Sequence, residues 1–272
     1  MNIHAQNSPK IETGVSQELA IWRAANYSDV RYRLNLTLEK MSPTLKGSIE
    51  ISLENKADQI ILDWRKIVGK EQFTTVSNVR VNDKTAKFDE RDEHLIFREN
   101  VKTGANVIKI DFTSPIATSG AGVTRYVDKE DNAEYIYSLF VPSDASTTFP
   151  CFDQPDLKAK FSLILTIPEE WKADSNSPSF RFTQLVGLRT NIKIIESTPK
   201  QQTIRFQETQ PISTYVFAFA AGDFQEFNDG DNPKSEVQNP KSSVFVRKSQ
   251  AEKFKQHATE VFRLNREAVK YL

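Results

Sequence analysis

The stretch YIYSLFVPSDASTTFPCFDQPDLKAKFSLILTIPEEW, residues 135–171, gives the strongest structural signal in this chain. Its centre is a run of aromatic and thiol side chains between Pro150 and Pro155. These prolines exclude a helix, because proline lacks a backbone N–H and restricts the residue before it. An acid, Asp153, and a cation, Lys158, lie close together in the sequence. We therefore predict a buried turn whose polar groups are paired locally.

A strand is predicted directly after this turn. Apolar and polar side chains alternate there, which is the period of a strand with one buried face. The apolar set is Phe161, Leu163, Leu165 and Ile167, and the polar set is Lys160, Ser162 and Thr166.

The same alternation continues through much of the chain. Turn signals such as Asn82-Asp83-Lys84 separate the segments. Strands are predicted around residues 29–40, 48–53, 59–64, 76–81, 95–97, 107–112, 191–195, 203–206 and 243–247. The fold class is therefore all-β dominated, a large antiparallel β-sandwich or saddle-like domain.

Helical signals are confined to the two ends. Residues 14–27 predict a short helix or an ordered arm. Ser249 with Glu252 forms a capping box, and apolar residues then recur at helical spacing up to residue 272. Residues 222–240 are rich in Asn, Asp, Gly and Pro, which is typical of a linker. We expect a β-rich domain over residues 1–240 and the start of a second domain over residues 241–272.

Composition limits the class of protein and its partners. The 272 residues hold 36 Lys and Arg against 36 Asp and Glu, so no net charge favours nucleic acid. The lone cysteine, Cys151, is expected to be a small core side chain. No stretch is long and apolar enough to span a bilayer, so a soluble chain is expected. The start at His4-Ala5-Gln6 slightly favours an exported (periplasmic or secreted) protein over a cytoplasmic one, because an export signal is cut after a small residue.

Two motifs resemble one enzyme family. The run FPCFDQPDLKAKF, residues 149–161, is similar to the F-P-C-F-D-[EQ]-P-x-x-K-A-x-F signature of aminopeptidase N-like zinc exopeptidases, the gluzincin aminopeptidases. The run PISTYVFAFAAGDF, residues 211–224, resembles the strand that closes their N-terminal domain. The resemblance covers nearly the whole chain and implies an N-terminal domain that precedes the metal site. Its structural signature is Phe149, Pro150, Cys151, Phe152, Asp153, Pro155 and Lys158.

The resemblance implies chemistry that this chain does not carry alone. Enzymes of the family bind zinc through H-E-x-x-H and a distal Glu, and the first Glu activates water. Neither H-E-x-x-H nor G-x-M-E-N occurs in the sequence, and His4, His94 and His257 are far apart. We therefore expect no catalytic residue, metal ligand or cofactor in this fragment. Zinc, a catalytic domain as its partner and peptide substrates are expected of a longer parent protein.

The resemblance also indicates a substrate-facing loop. In the family, a Gln ten positions before the first signature Phe, and a Gln or Glu eight before it, hold the substrate amine. Those positions are Leu139 and Val141, whose side chains accept no hydrogen bond. A wall of Leu139, Phe140 and Val141 would favour an apolar first side chain; alternatively, these residues form a core strand. The family also has a cis peptide here, so a cis Val141–Pro142 bond is predicted, since before proline trans is preferred by only about 0.5–1 kcal/mol.

Three functions stay open at this point. The first is the N-terminal, non-catalytic domain of a zinc aminopeptidase that removes N-terminal residues from peptides. The second is a non-catalytic relative that acts as an interaction scaffold, and the third is a stand-alone β-rich binding module. The Gly120-Ala121-Gly122 run precedes VTRY rather than a helix, so it indicates a flexible loop and not a phosphate site.

Overall fold

The computed structural model describes residues 8–181, 200–229 and 242–271. The strand predicted over residues 191–195 lies outside the described residues, as does His4. Within the described residues, strands dominate and a long helix ends the chain, which confirms the predicted fold class.

The largest sheet has eight described strands. In spatial order they are β13 (Ser179–Arg181), β14 (Gln201–Phe206), β11 (Lys160–Pro168), β1 (Tyr27–Thr37), β2 (Thr44–Asn55), β8 (Gly104–Pro115), β4 (Thr75–Val81) and β5 (Lys84–Thr85). Among these described strands, neighbours pair antiparallel except β1 and β11, which run parallel with Tyr32 opposite Phe161. The strand that follows the signature thus lies near the middle of the sheet.

Smaller sheets pack around this one. One has the order β12 (Lys172–Ser175), β15 (Phe219–Gly222), β10 (Glu134–Ser138) and β9 (Val123–Val127). Another has the order β3 (Ile60–Asp63), β7 (His94–Phe97) and β6 (Phe88–Arg91), and a hairpin-like pair joins β16 (Phe224–Asn228) to β17 (Ser243–Arg247).

One apolar cluster joins the large sheet to the small ones. The alternation predicted for β11 is observed, since its apolar set is buried and its polar set is partly exposed. The ring of Phe217 stacks on Phe161 with centroids 4.5 Å apart. Gly47 in β2 is required by close packing, because a Cβ there would lie 2.3 Å from Cζ of Phe112. Each fully buried aromatic side chain stabilises the fold by about 1.5–3 kcal/mol.

Helix α1 (Gln17–Asn26) covers one face of the three-stranded sheet, where Leu19 packs on Ile61 and Ile96. Ser16 caps it by accepting a hydrogen bond from the N–H of Leu19 at 3.2 Å. Its buried face carries Leu19 and also a charged residue, Arg23. The helix or arm predicted over residues 14–27 is therefore a helix preceded by an arm.

Helix α2 (Ala251–Tyr271) begins two residues later than the predicted capping box. The Ser249 hydroxyl donates to Oδ2 of Asp128 at 2.7 Å, so the capping-box assignment was wrong. Ala251 and Phe262 are the buried side chains among the described residues of this helix. Arg266 anchors it further by pairing with Asp229 at 2.5 Å. Within the described part of the chain, neither helix combines the length and apolar character needed to cross a membrane.

Candidate functional site

The predicted substrate-facing loop follows β10, and of its residues Leu139, Phe140, Val141 and Pro142 all but Phe140 are exposed. Leu139 and Val141 are 59% and 54% exposed, whereas Phe140 between them is 1% exposed. The Val141–Pro142 peptide is cis, as predicted. The core-strand alternative fits Phe140 alone, because its two apolar neighbours face away from the core.

Phe140 fixes the loop to the interior through aromatic contacts. Its ring centroid lies 5.6 Å from that of Phe149, 6.3 Å from Phe217 and 6.4 Å from Phe219. Edge-to-face and offset pairs of this kind add roughly 0.5–1.5 kcal/mol each beyond the buried area. The first residue of the signature and the second family motif therefore meet beneath the loop.

Aromatic side chains continue from the loop along one face of the four-stranded sheet, where Tyr135 is buried and Tyr126 and Tyr137 are exposed. Tyr135 in β10 lies opposite Tyr126 in β9, and their ring centroids are 6.4 Å apart. Tyr137, two residues before Leu139, shares that face because side chains alternate along a strand. Tyr126 and Tyr137 are both about two-fifths exposed. The loop and this sheet face thus present apolar surface outward.

The second half of the loop is held by Arg65 and by a glycine. Arg65 donates to the Ser143 carbonyl at 3.1 Å and pairs with the Asp144 carboxylate. Gly122 lies against the loop, since a Cβ at that position would be 2.6 Å from the Asp144 carbonyl oxygen. The flexible-loop interpretation of Gly120 to Gly122 therefore misses the close packing at Gly122.

The signature forms the buried turn that the sequence predicts. Phe149, Cys151 and Phe152 are completely buried, and burial raises the pKa of the Cys151 thiol well above its ordinary value. Cys151 forms backbone hydrogen bonds with Asp63 at the end of β3, at 2.7 and 3.2 Å. This thiol is therefore a core side chain and not a reactive one.

The local pairing predicted for Asp153 and Lys158 is wrong. Lys158 and Pro155 are exposed, whereas Asp153 is buried. The Asp153 carboxylate accepts a hydrogen bond from the N–H of Ser146 at 3.0 Å. Burial raises its pKa to about 6, with a further contribution from the nearby charge of Asp63.

The charged residues near Asp153 come from distant parts of the chain and meet at Asp63. Arg23 donates to both carboxylate oxygens of Asp63, at 2.9 and 2.6 Å, and the Asp153 N–H donates to the same carboxylate at 2.7 Å. Nδ1 of His94 lies 2.8 Å from Asp63 Oδ1, a mainly ionic contact because the hydrogen is poorly aligned. Burial opposes ionisation of Asp63, but Arg23 and His94 outweigh it and lower its pKa.

Sequence reasoning missed this cluster of Arg23, Asp63 and His94. A cation on the inner face of α1, at a position where an amphipathic helix carries apolar residues, was the available signal. The cluster joins α1, β3, β7 and the signature. Its side chains are occupied by one another, and no group of three potential metal ligands occurs among the described residues.

Together these features define a class: a β-rich domain with an aromatic signature core and an exposed apolar loop, and with no metal-ligand group among its described residues. A family model described as the peptidase M1 N-terminal domain matches residues 28–216. The chain belongs to this family. Its signature and closing strand are the motifs on which the sequence resemblance was based.

Curated relatives are aminopeptidases. The chain is 29% identical to aminopeptidase N of Streptomyces lividans over 162 residues, which is 57% of this chain and 17% of that protein. It is 30% identical to aminopeptidase M1-B of Oryza sativa subsp. japonica over 204 residues, 72% of this chain and 22% of that protein. It is 26% identical to leucyl aminopeptidase of Saccharolobus solfataricus over 201 residues, 73% of this chain and 22% of that protein. The chain spans about a fifth of the length of these relatives.

Proposed function

We propose that this chain is the non-catalytic N-terminal domain of a zinc-dependent aminopeptidase that removes N-terminal residues from peptides. The family match over residues 28–216 is the observation that carries the proposal. The described residues do not fit the zinc site, because they contain no group of three potential ligands. Zinc and the water-activating carboxylate would come from the catalytic domain of the parent protein, so no chemical step is assigned to residues in this chain.

The domain would contribute one wall of the substrate cleft. Leu139 and Val141 are exposed side chains of the loop, and buried Phe140 fixes them in position. Neither side chain can accept a hydrogen bond from a substrate ammonium group. The wall would therefore select an apolar first residue, while recognition of the amine would rest on the catalytic domain.

We assign residues 1–240 to the N-terminal domain and residues 241–272 to the start of the catalytic domain. Pairing of β16 with β17 joins the two parts, with Phe224 opposite Arg247. The mostly exposed helix α2 follows and offers Val261, Leu264 and Val269, all at least 37% exposed, to the catalytic domain.

The test of the wall uses the full-length parent enzyme. Leu139→Gln with Val141→Glu restores the residue types that the family carries at these positions. We expect the preference for leucyl over lysyl reporter substrates, measured as the ratio of kcat/KM values, to fall roughly ten-fold. Ile21→Gln, which changes an exposed apolar residue on α1, is the matched control. An unchanged preference in the double variant would remove Leu139 and Val141 from the cleft.

A second candidate is a non-catalytic relative that serves as an interaction scaffold. The exposed apolar side chains of Leu139 and Val141 favour it, because such residues suit protein contacts as well as a cleft. The residues that follow position 272 in the parent protein separate the two candidates. An H-E-x-x-H motif there supports the enzyme, and its absence supports the scaffold.

A further inference from the structure

His94 holds the N-terminal arm through a ring whose two nitrogens both face oxygen acceptors. Nε2 lies 3.0 Å from the carbonyl oxygen of Glu12 and 3.1 Å from that of Gly14. Nδ1 lies 2.8 Å from a carboxylate oxygen of Asp63. A carbonyl oxygen and a carboxylate cannot donate a hydrogen bond. The imidazolium is therefore the form of the ring that matches all three contacts, with Nε2–H as the donor to the arm and a charged ring beside the Asp63 carboxylate.

A neutral ring would leave one lone pair directed at oxygen. If Nδ1 kept its hydrogen for the ionised Asp63, Nε2 would face the two arm carbonyls as an acceptor, and the arm would lose its donor. The charge of Asp63 makes this the favoured neutral tautomer. The charged groups around the ring on the surrounding elements are Asp63 on β3, Arg23 on α1, and Arg65, Glu93 and Asp153, which line the adjoining cavity.

The arm forms one side of this cavity. It has a volume of about 90 Å³, and Gly14 and Val15 of the arm line it together with Asp63, His94, Ser143 and Asp153. We infer that residues 12–15 form a protonation-dependent strap, which the His94 imidazolium holds over the cavity and which opens when the ring becomes neutral. Among the described residues, the His94 ring is the one hydrogen-bond partner of the Glu12 and Gly14 carbonyl oxygens.

The direction of the pH effect follows from the same contacts. Burial disfavours the imidazolium, but the Asp63 carboxylate beside the ring outweighs it and raises the pKa of His94 above its ordinary value of 6.5. A raised value in the folded state means that the stabilisation is complete below pH 6.5 and is lost as the pH rises through the folded value. Ile11 packs near Leu19 and Ile96, and the Lys10 N–H donates to Glu18. The residues before the strap therefore stay bound to the domain when the strap opens.

Cleavage of the bond after Glu12 by a Glu-specific protease tests the strap in this chain. The rate is divided by that of a free peptide of residues 8–20 at the same pH, which removes the pH dependence of the protease. The protonation state of His94 is followed in parallel through the nitrogen shifts of its ring. We expect the relative rate to rise by roughly ten-fold or more as His94 loses its proton, since a charge-assisted hydrogen-bond set is lost.

Two variants complete the test. His94→Gln should abolish the pH dependence of the relative rate, whereas His257→Gln, at an exposed histidine on α2, should retain it. Amide protection in β2 and β8 serves as the check that the fold is intact at every pH. A neutral His94 ring at pH 6, a constant relative rate while the ring titrates, or an unchanged pH dependence in His94→Gln would each overturn the inference.

Discussion

Asp153 is a buried carboxyl whose ionisation costs stability. Its pKa is raised from 3.8 to about 6, mainly by burial. Because the folded value lies above the unfolded one, the folded protein gains stability from this group as the pH falls from about 6 to about 4. The ionised carboxylate at neutral pH is therefore unfavourable relative to the protonated form.

We predict that Asp153→Asn is more stable relative to the wild type at pH 7.5 than at pH 4. The amide oxygen can still accept from the Ser146 N–H, while the buried charge is removed. Two pKa units correspond to about 2.7 kcal/mol, so the difference in the free energy of unfolding should change by roughly 2 kcal/mol between these pH values. Urea unfolding at both pH values measures it.

Asp156→Asn is the control for that measurement, because Asp156 lies in the same segment and is exposed. It should give the same difference from the wild type at both pH values. A pH-independent difference for Asp153→Asn would show that Asp153 is not desolvated in the folded protein.

The burial of the signature was predictable from the sequence, but the polar partners of Asp153 were not. Phe149, Cys151 and Phe152 lie in the core because prolines and aromatic residues in this pattern exclude a helix and favour a buried turn. Asp63 lies 90 residues before Asp153 in the sequence, and Arg23 lies 40 residues before Asp63. Local spacing carries no information about contacts at such separations, and in sequence the nearest cation to Asp153 is Lys158.

Among the elements, strands were easier to predict than sheet order. Apolar and polar residues alternate in β1, β2, β8 and β11 because each strand buries one face. This pattern can be recognised in each strand separately. The parallel pairing of β1 with β11 joins strands separated by most of the domain, and no turn residue specifies it. The helix α2 was predicted from its periodicity, whereas its start was missed because Asp128, far away in sequence, binds the Ser249 hydroxyl.

The ion pair of Arg23 with Asp63 is the polar link between α1 and β3. Both side chains are at most 4% exposed, and the pair is bidentate. We predict that Arg23→Met lowers the free energy of unfolding by about 3–5 kcal/mol, because it leaves Asp63 buried without its main cation. Chemical denaturation monitored by tryptophan fluorescence, to which Trp22 on the same helix contributes, measures the loss.

Arg31→Met gives the comparison for an exposed ion pair. Arg31 pairs with Glu208 at 3.2 Å, and both side chains are more than a third exposed. Its loss should cost less than about 1 kcal/mol. Equal effects of Arg23→Met and Arg31→Met would contradict the view that burial makes the first pair indispensable once formed.

For the whole molecule, several potential zinc ligands among the described residues already contact other residues of the chain. Both ring nitrogens of His94 face Asp63 and the arm. His257 and Glu260 are one helical turn apart, but both Glu260 oxygens accept hydrogen bonds from Arg263, at 2.8 and 2.5 Å. A zinc ion needs three or four nitrogen, sulfur or carboxylate ligands that converge on one point. The described residues therefore supply scaffold and surface, and the proposed chemistry requires the rest of the parent.

We predict that purified residues 1–272 retain less than about 0.1 zinc per chain after dialysis against buffer without chelator, as measured by elemental analysis, since zinc sites need convergent ligands. The same sample should not hydrolyse leucyl or lysyl reporter substrates above background. A chain that begins at residue 8 is the control for His4, and the full-length parent is the positive control for both assays. Stoichiometric zinc in residues 8–272, or hydrolysis that persists through repurification, would place a metal site in this domain and would contradict the assignment of the chemistry to the catalytic domain.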